Sequence, residues 1–419
     1  MRKSILFLFS IFCAAFVVAQ NQLPKWEKGY LDIHHINTGR GNCAFLIFPD
    51  GTTMMIDAGD FDGKEYEAKY APMHAAPIFP NSGYTPGASI INYITKLQGK
   101  NNATIDYFLL THFHSDHYGS IQKTSGISKN GYRLTGLTEV GDVIPIGTYV
   151  DRDYPDYKFP VDLRSGKGGV ELPTFLNLLE FLDYQKKKNG LKLQKFDIGS
   201  NTQFVLKKEP NAYPDFEVRN IKSNNLLWTG EAKKTTALFT EEDLLAKNGK
   251  YSENQMSTAV VVKYGKFKYY TGGDNSGLVD QDHAEWYDIE TPMAPIVGKV
   301  SVASLNHHSN RDATNRSFLE ILDPKVVVAQ SWSTDHPGAE VGQRLLSKNI
   351  GTQKRDVFMT FYSDETSIGI GPWFANGIKA KQGHIVIRVY PDGKYDVYVL
   401  DARKEDLIIS EKFGPYVSE

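Results

Sequence analysis

Between Thr111 and His117 the chain reads THFHSDH, so three histidines and one aspartate fall within six positions directly after the apolar run Ile105–Leu110. A chain of 419 residues with only 11 histidines does not cluster them this way by chance. Neutral imidazole nitrogens and carboxylate oxygens are the donors that zinc and related divalent ions take. A loop leaving a buried strand lets neighbouring side chains converge on one point. His112 and His114 point the same way from an extended segment and suit one ion, while Asp116 and His117 on the following turn suit a second. The alternative reading of the same residues is a polar loop that caps a helix, with Asp116 as the N-cap.

The surrounding pattern predicts an α/β layout. Ala44–Phe48 and Thr53–Ile56 flank Pro49-Asp50-Gly51 and read as a β-hairpin ending in Asp57-Ala58-Gly59-Asp60. Ile90, Ile91, Ile94 and Leu97 recur at helical spacing after Pro86, and the buried strand Ile105–Leu110 follows. From about 120 to 250 the chain is less regular, apart from a helix from Pro173 to Lys187 stopped by Gly190, and this stretch is expected to be an insertion around the core. Regularity returns with a second hairpin, Ala259–Tyr264 and Lys268–Thr271, leading into Gly272-Gly273-Asp274. Strand Val300–Leu305, a helix near Phe318–Leu322, strand Val326–Ala329 and a helix around Val341–Leu346 come next. A last hairpin at about 383–400, turning at Pro391-Asp392-Gly393, suits a sheet edge.

Composition bounds what such a chain can do. With 41% hydrophobic and 23% charged residues it can bury a large core, and disorder is excluded. Residues 1–19 read as a signal peptide: Arg2 and Lys3 precede an apolar run from Ile5 to Val18 that is shorter than the roughly 20 residues of a membrane span. The expected mature protein, residues 20–419, is therefore secreted or periplasmic, with a membrane anchor as the alternative. Cys43 is its single cysteine, so no internal disulfide supports the fold. Removing Arg2 and Lys3 from the 47 basic residues leaves 45 against 49 acidic, a net charge of about −4, which attracts no nucleic acid globally. Lys186, Lys187, Lys188, Lys192 and Lys195 form a local basic patch that reads as a solvated helix end.

Taken in order, Asp57 in MIDAGD, the HxHxDH loop, Gly273-Asp274 after a later strand, and His307-His308 in LNHHS resemble the metallo-β-lactamase-fold hydrolases over about Leu31 to Leu346. That resemblance implies an αββα sandwich, two mixed sheets flanked by helices, with metals at one edge between the sheets. It implies Asp274 as a bridge, with His112, His114 and Asp274 around a first ion and Asp116, His117, Asp274 and His308 around a second. Within the superfamily the chain is most similar to the hydrolase domain of ComEC-type DNA-uptake (competence) proteins. Asn37-Thr38-Gly39-Arg40-Gly41-Asn42, Asp50-Gly51, Ile56-Asp57-Ala58-Gly59, Asn254-Gln255-Met256-Ser257, His307-His308-Ser309 and His336-Pro337 resemble its motifs. Departures are Asn37 and Asn42 where that pattern has aspartates, and Ser309 where it has glycine. β-Lactamases place a third histidine on the first metal, where this chain offers Asn254 and Ser257.

The resulting expectation is an exported hydrolase that uses a metal-activated hydroxide, with one or two zinc ions or, alternatively, manganese, and no side-chain nucleophile. Asp57 is expected to orient a metal-bearing histidine, and His336 to donate a proton to the leaving group or to serve only as a turn residue. Asn37, Asn42, Asn254 and Ser257 are the candidate substrate contacts. Adjacent residues at a strand end face opposite ways, so one of His307 and His308 is expected at the metal, His308 being chosen. His34 and His35 are read as structural. Small phosphodiesters or short single strands are the expected substrates, with lactam, lactone or ester cleavage, and a degenerate metal-binding module, as alternatives.

Overall fold

Alternation along the strand Leu31–His35 sends Leu31 and Ile33 into one buried layer and Asp32 and His34 into another, so this strand is covered on both faces. The computed structural model describes residues 22–245, 252–278 and 283–418, and the expected signal segment lies outside the described residues. Among the described residues the strands form two mixed sheets, one of nine strands and one of eight. The first runs, edge to edge, Ile409–Val417, Lys394–Leu400, His384–Val389, Leu31–His35, Ala44–Ile47, Thr53–Ile56, Ile105–Leu109, Ile146–Asp151 and Lys192–Lys195. The second runs Asp356–Met359, Val326–Ala329, Val302–Ser304, Phe267–Thr271, Ala259–Tyr264, Phe216–Ser223, Leu226–Trp228 and Thr235–Ala237.

Three apolar layers define the architecture. Leu31, Ile33, Leu46 and Met54 of the first sheet pack against Val260, Val262, Val302 and Val326 of the second. Behind the first sheet, Phe45, Met55 and Phe108 meet Ile90, Val140 and Phe181 from the helices Pro86–Gln98, Gly136–Val143 and Leu172–Asn189. Behind the second, Val261, Ala303 and Val327 meet Met293, Phe318 and Val341 from Glu290–Val297, Arg316–Leu322 and Ala339–Leu346. The result is an αββα sandwich. His34 and His35 are fully buried, and His34 Nδ1 lies 3.0 Å from the Tyr93 hydroxyl. Beside them Arg388 donates to both oxygens of Asp32, at 2.8 and 2.6 Å.

Two boundaries differ from the sequence reading. The stretch from about 120 to 250 supplies two strands to the first sheet and three to the second, so it builds the sandwich and does not decorate it. The hairpin at 383–400 is interior: His384–Val389 pairs with Leu31–His35, and Ile409–Val417 takes the edge. No helix among the described residues is long and apolar enough to cross a membrane.

Candidate metal centre

Parallel pairing brings several strand ends to one rim. Thr53–Ile56, Ile105–Leu109 and Ile146–Asp151 run parallel in the first sheet, as do Phe267–Thr271, Val302–Ser304 and Val326–Ala329 in the second. The loops after carboxyl ends of parallel strands are where α/β sheets open clefts. Asp57, the 111–117 loop, Asp274, His307-His308 and His336 all follow such ends.

Local hydrogen bonds fix the 111–117 loop. Thr111 N–H donates to Asp57 Oδ1 and Thr111 Oγ1 to Asp57 Oδ2, both at 2.8 Å. Phe113 N–H donates to Glu253 Oε1 at 3.1 Å. Asn42 N–H donates to the Asp116 carbonyl at 2.8 Å, an approach possible because a Cβ at Gly41 or Gly59 would stand 2.0 or 2.1 Å from that oxygen. Gly41 also has φ +101°. The Asn37–Asn42 loop thus packs against the backbone of the aspartate.

Two groups of donor atoms result. Asp116, His117, Asp274 and His308 offer atoms all within 4.8 Å of one another, as do His112, His114 and Asp274, so Asp274 belongs to both. His117 Nε2 is 3.2 Å and His308 Nε2 3.4 Å from Asp274 Oδ2, while His308 Nε2 is 2.8 Å from Asp116 Oδ2. His112 Nε2 stands 3.2 Å from His114 Nδ1 and 3.8 Å from Asp274 Oδ2. Ligand atoms on a tetrahedron with bonds of roughly 2.0–2.1 Å stand roughly 3.3 Å apart, so this spacing fits divalent ions. Among the described residues His117 Nε2 and Asp274 Oδ1 are buried without a hydrogen-bond partner, which also fits.

Three of the candidate ligands have their far sides held. Asp57 Oδ2 lies 2.8 Å from His117 Nδ1, leaving Nε2 for the cluster. Ser257 Oγ lies 3.1 Å from His112 Nδ1 and accepts from Asp274 N–H at 3.0 Å. His308 Nδ1 lies 3.1 Å from the Gln330 carbonyl, which directs Nε2 inward. Burial, reinforced by His117, holds His112 well below the ordinary imidazole range, so its lone pair is free. Burial pushes the Asp274 carboxyl up, but His117, His308 and His307 outweigh it and leave it well below the usual range.

His307 and His308 do not divide as a strand end would divide them. Both have left-handed backbones, with φ 47° and 53°, and Ser309 follows at 71°. In this turn successive side chains do not alternate, and both rings approach Asp274, His307 Nε2 at 3.8 Å. His307 Nδ1 is tied to Asp312 Oδ1 at 2.5 Å, and its Nε2 is 3.2 Å from Asn254 Nδ2.

The residues expected to touch substrate do not line the cavity. Asn37 donates to the Thr360 carbonyl at 2.6 Å and accepts from Gly39 N–H, spending its amide on the backbone. Asn42, Asn254 and Ser257 are buried outside the cavity lining. His336 does line the cavity and stacks on His308 at 5.0 Å. Burial, aided by His308 and His307 against Asp335, holds its ring down to about 3, so it carries no imidazolium proton to give near neutral pH.

Sequence reasoning missed the supports. Arg152 donates to both oxygens of Glu253, at 2.6 and 2.8 Å, and its guanidinium lies 5.0 Å from the Phe113 ring centroid between the two histidines. Glu290 accepts from Asn306 Nδ2 at 2.8 Å, Thr314 N–H at 2.8 Å and Asn315 N–H at 2.6 Å, tying down both ends of the segment that carries His307 and His308. Glu290→Gln would turn an amide NH₂ toward one of these donors. Chemical denaturation should show a loss of about 1–3 kcal/mol. An unchanged midpoint would mean that Glu290 does not hold this segment.

The cluster opens on a cavity of about 520 Å³ whose wall includes His114, Asp116, His307, His308, Tyr66 and Trp332. A family model described as the metallo-β-lactamase superfamily matches residues 37–133. Similar solved structures include the putative metal-dependent hydrolase of Parabacteroides distasonis, at 13% identity over 78% of this chain and 92% of that chain, with TM-score 0.36. They also include CmlA, a diiron β-hydroxylase from Streptomyces venezuelae, at 12% over 88% and 55% with TM-score 0.40. The short form of human tRNase Z matches at 11% over 71% and 91% with TM-score 0.29. No curated protein matches the chain. The stretch that matches the metallo-β-lactamase superfamily model, residues 37–133, holds Asp57 and the 111–117 loop.

Proposed function

We propose that the protein is a metal-dependent hydrolase of small phosphodiesters. The observation that carries this reading is the pair of donor groups sharing Asp274, of which His114, Asp116 and His308 line one cavity. His112, His114 and Asp274 would hold one divalent ion, and Asp116, His117, Asp274 and His308 a second, zinc first and manganese as the alternative. When bound, such ions supply Lewis acidity and an activated water, and two together suit in-line displacement at phosphorus. The chain's own residues orient and exclude: Asp57, Ser257 and the Gln330 carbonyl fix the imidazoles, and Phe113 and Trp332 keep the cluster dry. His307, held by Asp312, faces the cavity, where it positions substrate.

The resemblance of Asn37–Asn42, Asp57 and His307–Ser309 to the ComEC-type pattern favours phosphodiesters over lactams, lactones or esters. The acidic chain disfavours long duplexes, so small molecules and short single strands are the substrates we propose. We further propose export through the leader at 1–19.

A screen of a generic phosphodiester, a generic ester, a β-lactam and DNA, each with zinc or manganese, tests the reading. The phosphodiester should be cleaved fastest, with activity lost to a chelator and restored by metal. Turnover of ester or β-lactam with every phosphodiester intact would replace it by the carboxyl-hydrolase alternative. No turnover with both ions bound would favour a degenerate module, with Asn37 and Asn42 the first residues to convert to aspartate.

A further inference from the structure

At the mouth of the cavity the helix Gly63–Tyr70 presents Tyr66 and Tyr70, one turn apart, with ring centroids separated by 5.1 Å. Tyr66 meets Trp332 edge-on at 5.0 Å, and Trp332 in turn lies 5.5 Å from His308, so an aromatic wall runs from solvent to the ligand cluster. Tyr70 packs one side against Tyr66 and is otherwise 46% exposed, an uncommon placement for a large ring. The same cavity is lined by Glu65, Glu171 and Asp335, and Asp335 Oδ1 is a buried carboxylate oxygen that accepts no hydrogen bond among the described residues, with His336 Nε2 3.7 Å away. Against them stands one basic side chain other than histidine, Lys69, whose ammonium already sits 5.0 Å over the Tyr70 ring.

A neutral planar ring would gain from the aromatics but nothing from the carboxylates, and a second phosphate would be repelled by them. A compact organic cation satisfies both, because ring faces and carboxylates attract the same charge. Together with the ligand cluster at the cavity floor, which would take an anion once loaded, the cavity is polarised along its length. We infer that the substrate is zwitterionic: a phosphodiester whose alcohol carries an amine or quaternary ammonium, with the cation held by Tyr66, Tyr70 and the Glu65, Glu171 and Asp335 carboxylates. This rests on the phosphodiester reading for the other end of the molecule. The chemical class is an amino-alcohol phosphodiester.

The test uses choline and its uncharged isostere 3,3-dimethylbutan-1-ol, titrated calorimetrically into the full mature protein with and without zinc, alongside uridine. It also compares hydrolysis of the p-nitrophenyl phosphodiesters of the two alcohols. Choline should bind about tenfold more tightly than the isostere, as expected for charge on an aromatic face. Tyr70→Ala and Glu65→Gln should each shrink that preference at least about threefold without changing metal content, and Tyr70→Phe should keep it. Equal binding of choline and isostere, or tighter binding of uridine, would overturn the inference. Equal kcat/KM for the two phosphodiesters would overturn it while leaving the phosphodiester reading intact. Charge-selective binding with no phosphodiester cleaved would sink that reading and keep the cation subsite.

Discussion

Asp274→Ala should strip both ions from the protein and lower hydrolysis by about a thousandfold or more. The carboxylate is the one residue common to both donor groups, and apart from Asp116 its neighbours are imidazoles that bring no charge to offset the ions. Without it, two cations roughly 3.5–4 Å apart would repel with only Asp116 beside them. Several kcal/mol of transition-state stabilisation depend on those ions, and each 1.36 kcal/mol is tenfold in rate. Elemental analysis and kcat should therefore fall together. A variant that kept two ions per chain, or kept activity after losing them, would remove Asp274 from the centre of the site.

The second large effect separates two neighbours. His308→Ala should cost several orders of magnitude, and His307→Ala about ten- to a hundredfold, the range for a partner that acts through others. His308 is 1% exposed, faces Asp116 and Asp274 with one nitrogen and has the other at the Gln330 carbonyl. His307 stands farther from Asp274, 20% exposed at its side chain and bound to Asp312. Metal content measured on both variants decides the matter: the reverse ranking would move the ligand by one position along the chain. The left-handed run His307–Ser309 costs of order 1–3 kcal/mol per residue, strain retained where the surrounding structure fixes it, here partly through Glu290.

What the chain disclosed by reading alone follows a physical divide. The hairpin into Asp57, the strand into Thr111 and the strands into Asp274 and His307 are written in short-range periodicity, so their ends and the polar residues beyond them were legible. Lys192–Lys195 and Thr235–Ala237 are short and largely exposed, carry no alternating apolar face, and could be assigned only by their neighbours. The Arg152–Glu253 pair spans 101 residues of sequence, and nothing local marks either member as a support for Phe113. At His307-His308 both rings approach Asp274, because alternation holds for strands and fails in a left-handed turn. Asn37 and Asn42 were placed near substrate from a motif, whereas close backbone packing at Gly41 and Gly59 explains the same loop.

Four of the candidate ligands descend from one sheet and two from the other, so the rim is assembled across the apolar layer that joins them. The thickness of that layer is consequently a chemical variable. A change such as Val262→Ile or Met54→Leu, remote from any histidine, can alter the gap between sheets by fractions of an ångström, and donor geometry tolerates only about half an ångström. Evolution could then tune ion preference from the middle of the sandwich, and drift in the core would surface first as altered metal selectivity, before any loss of folding.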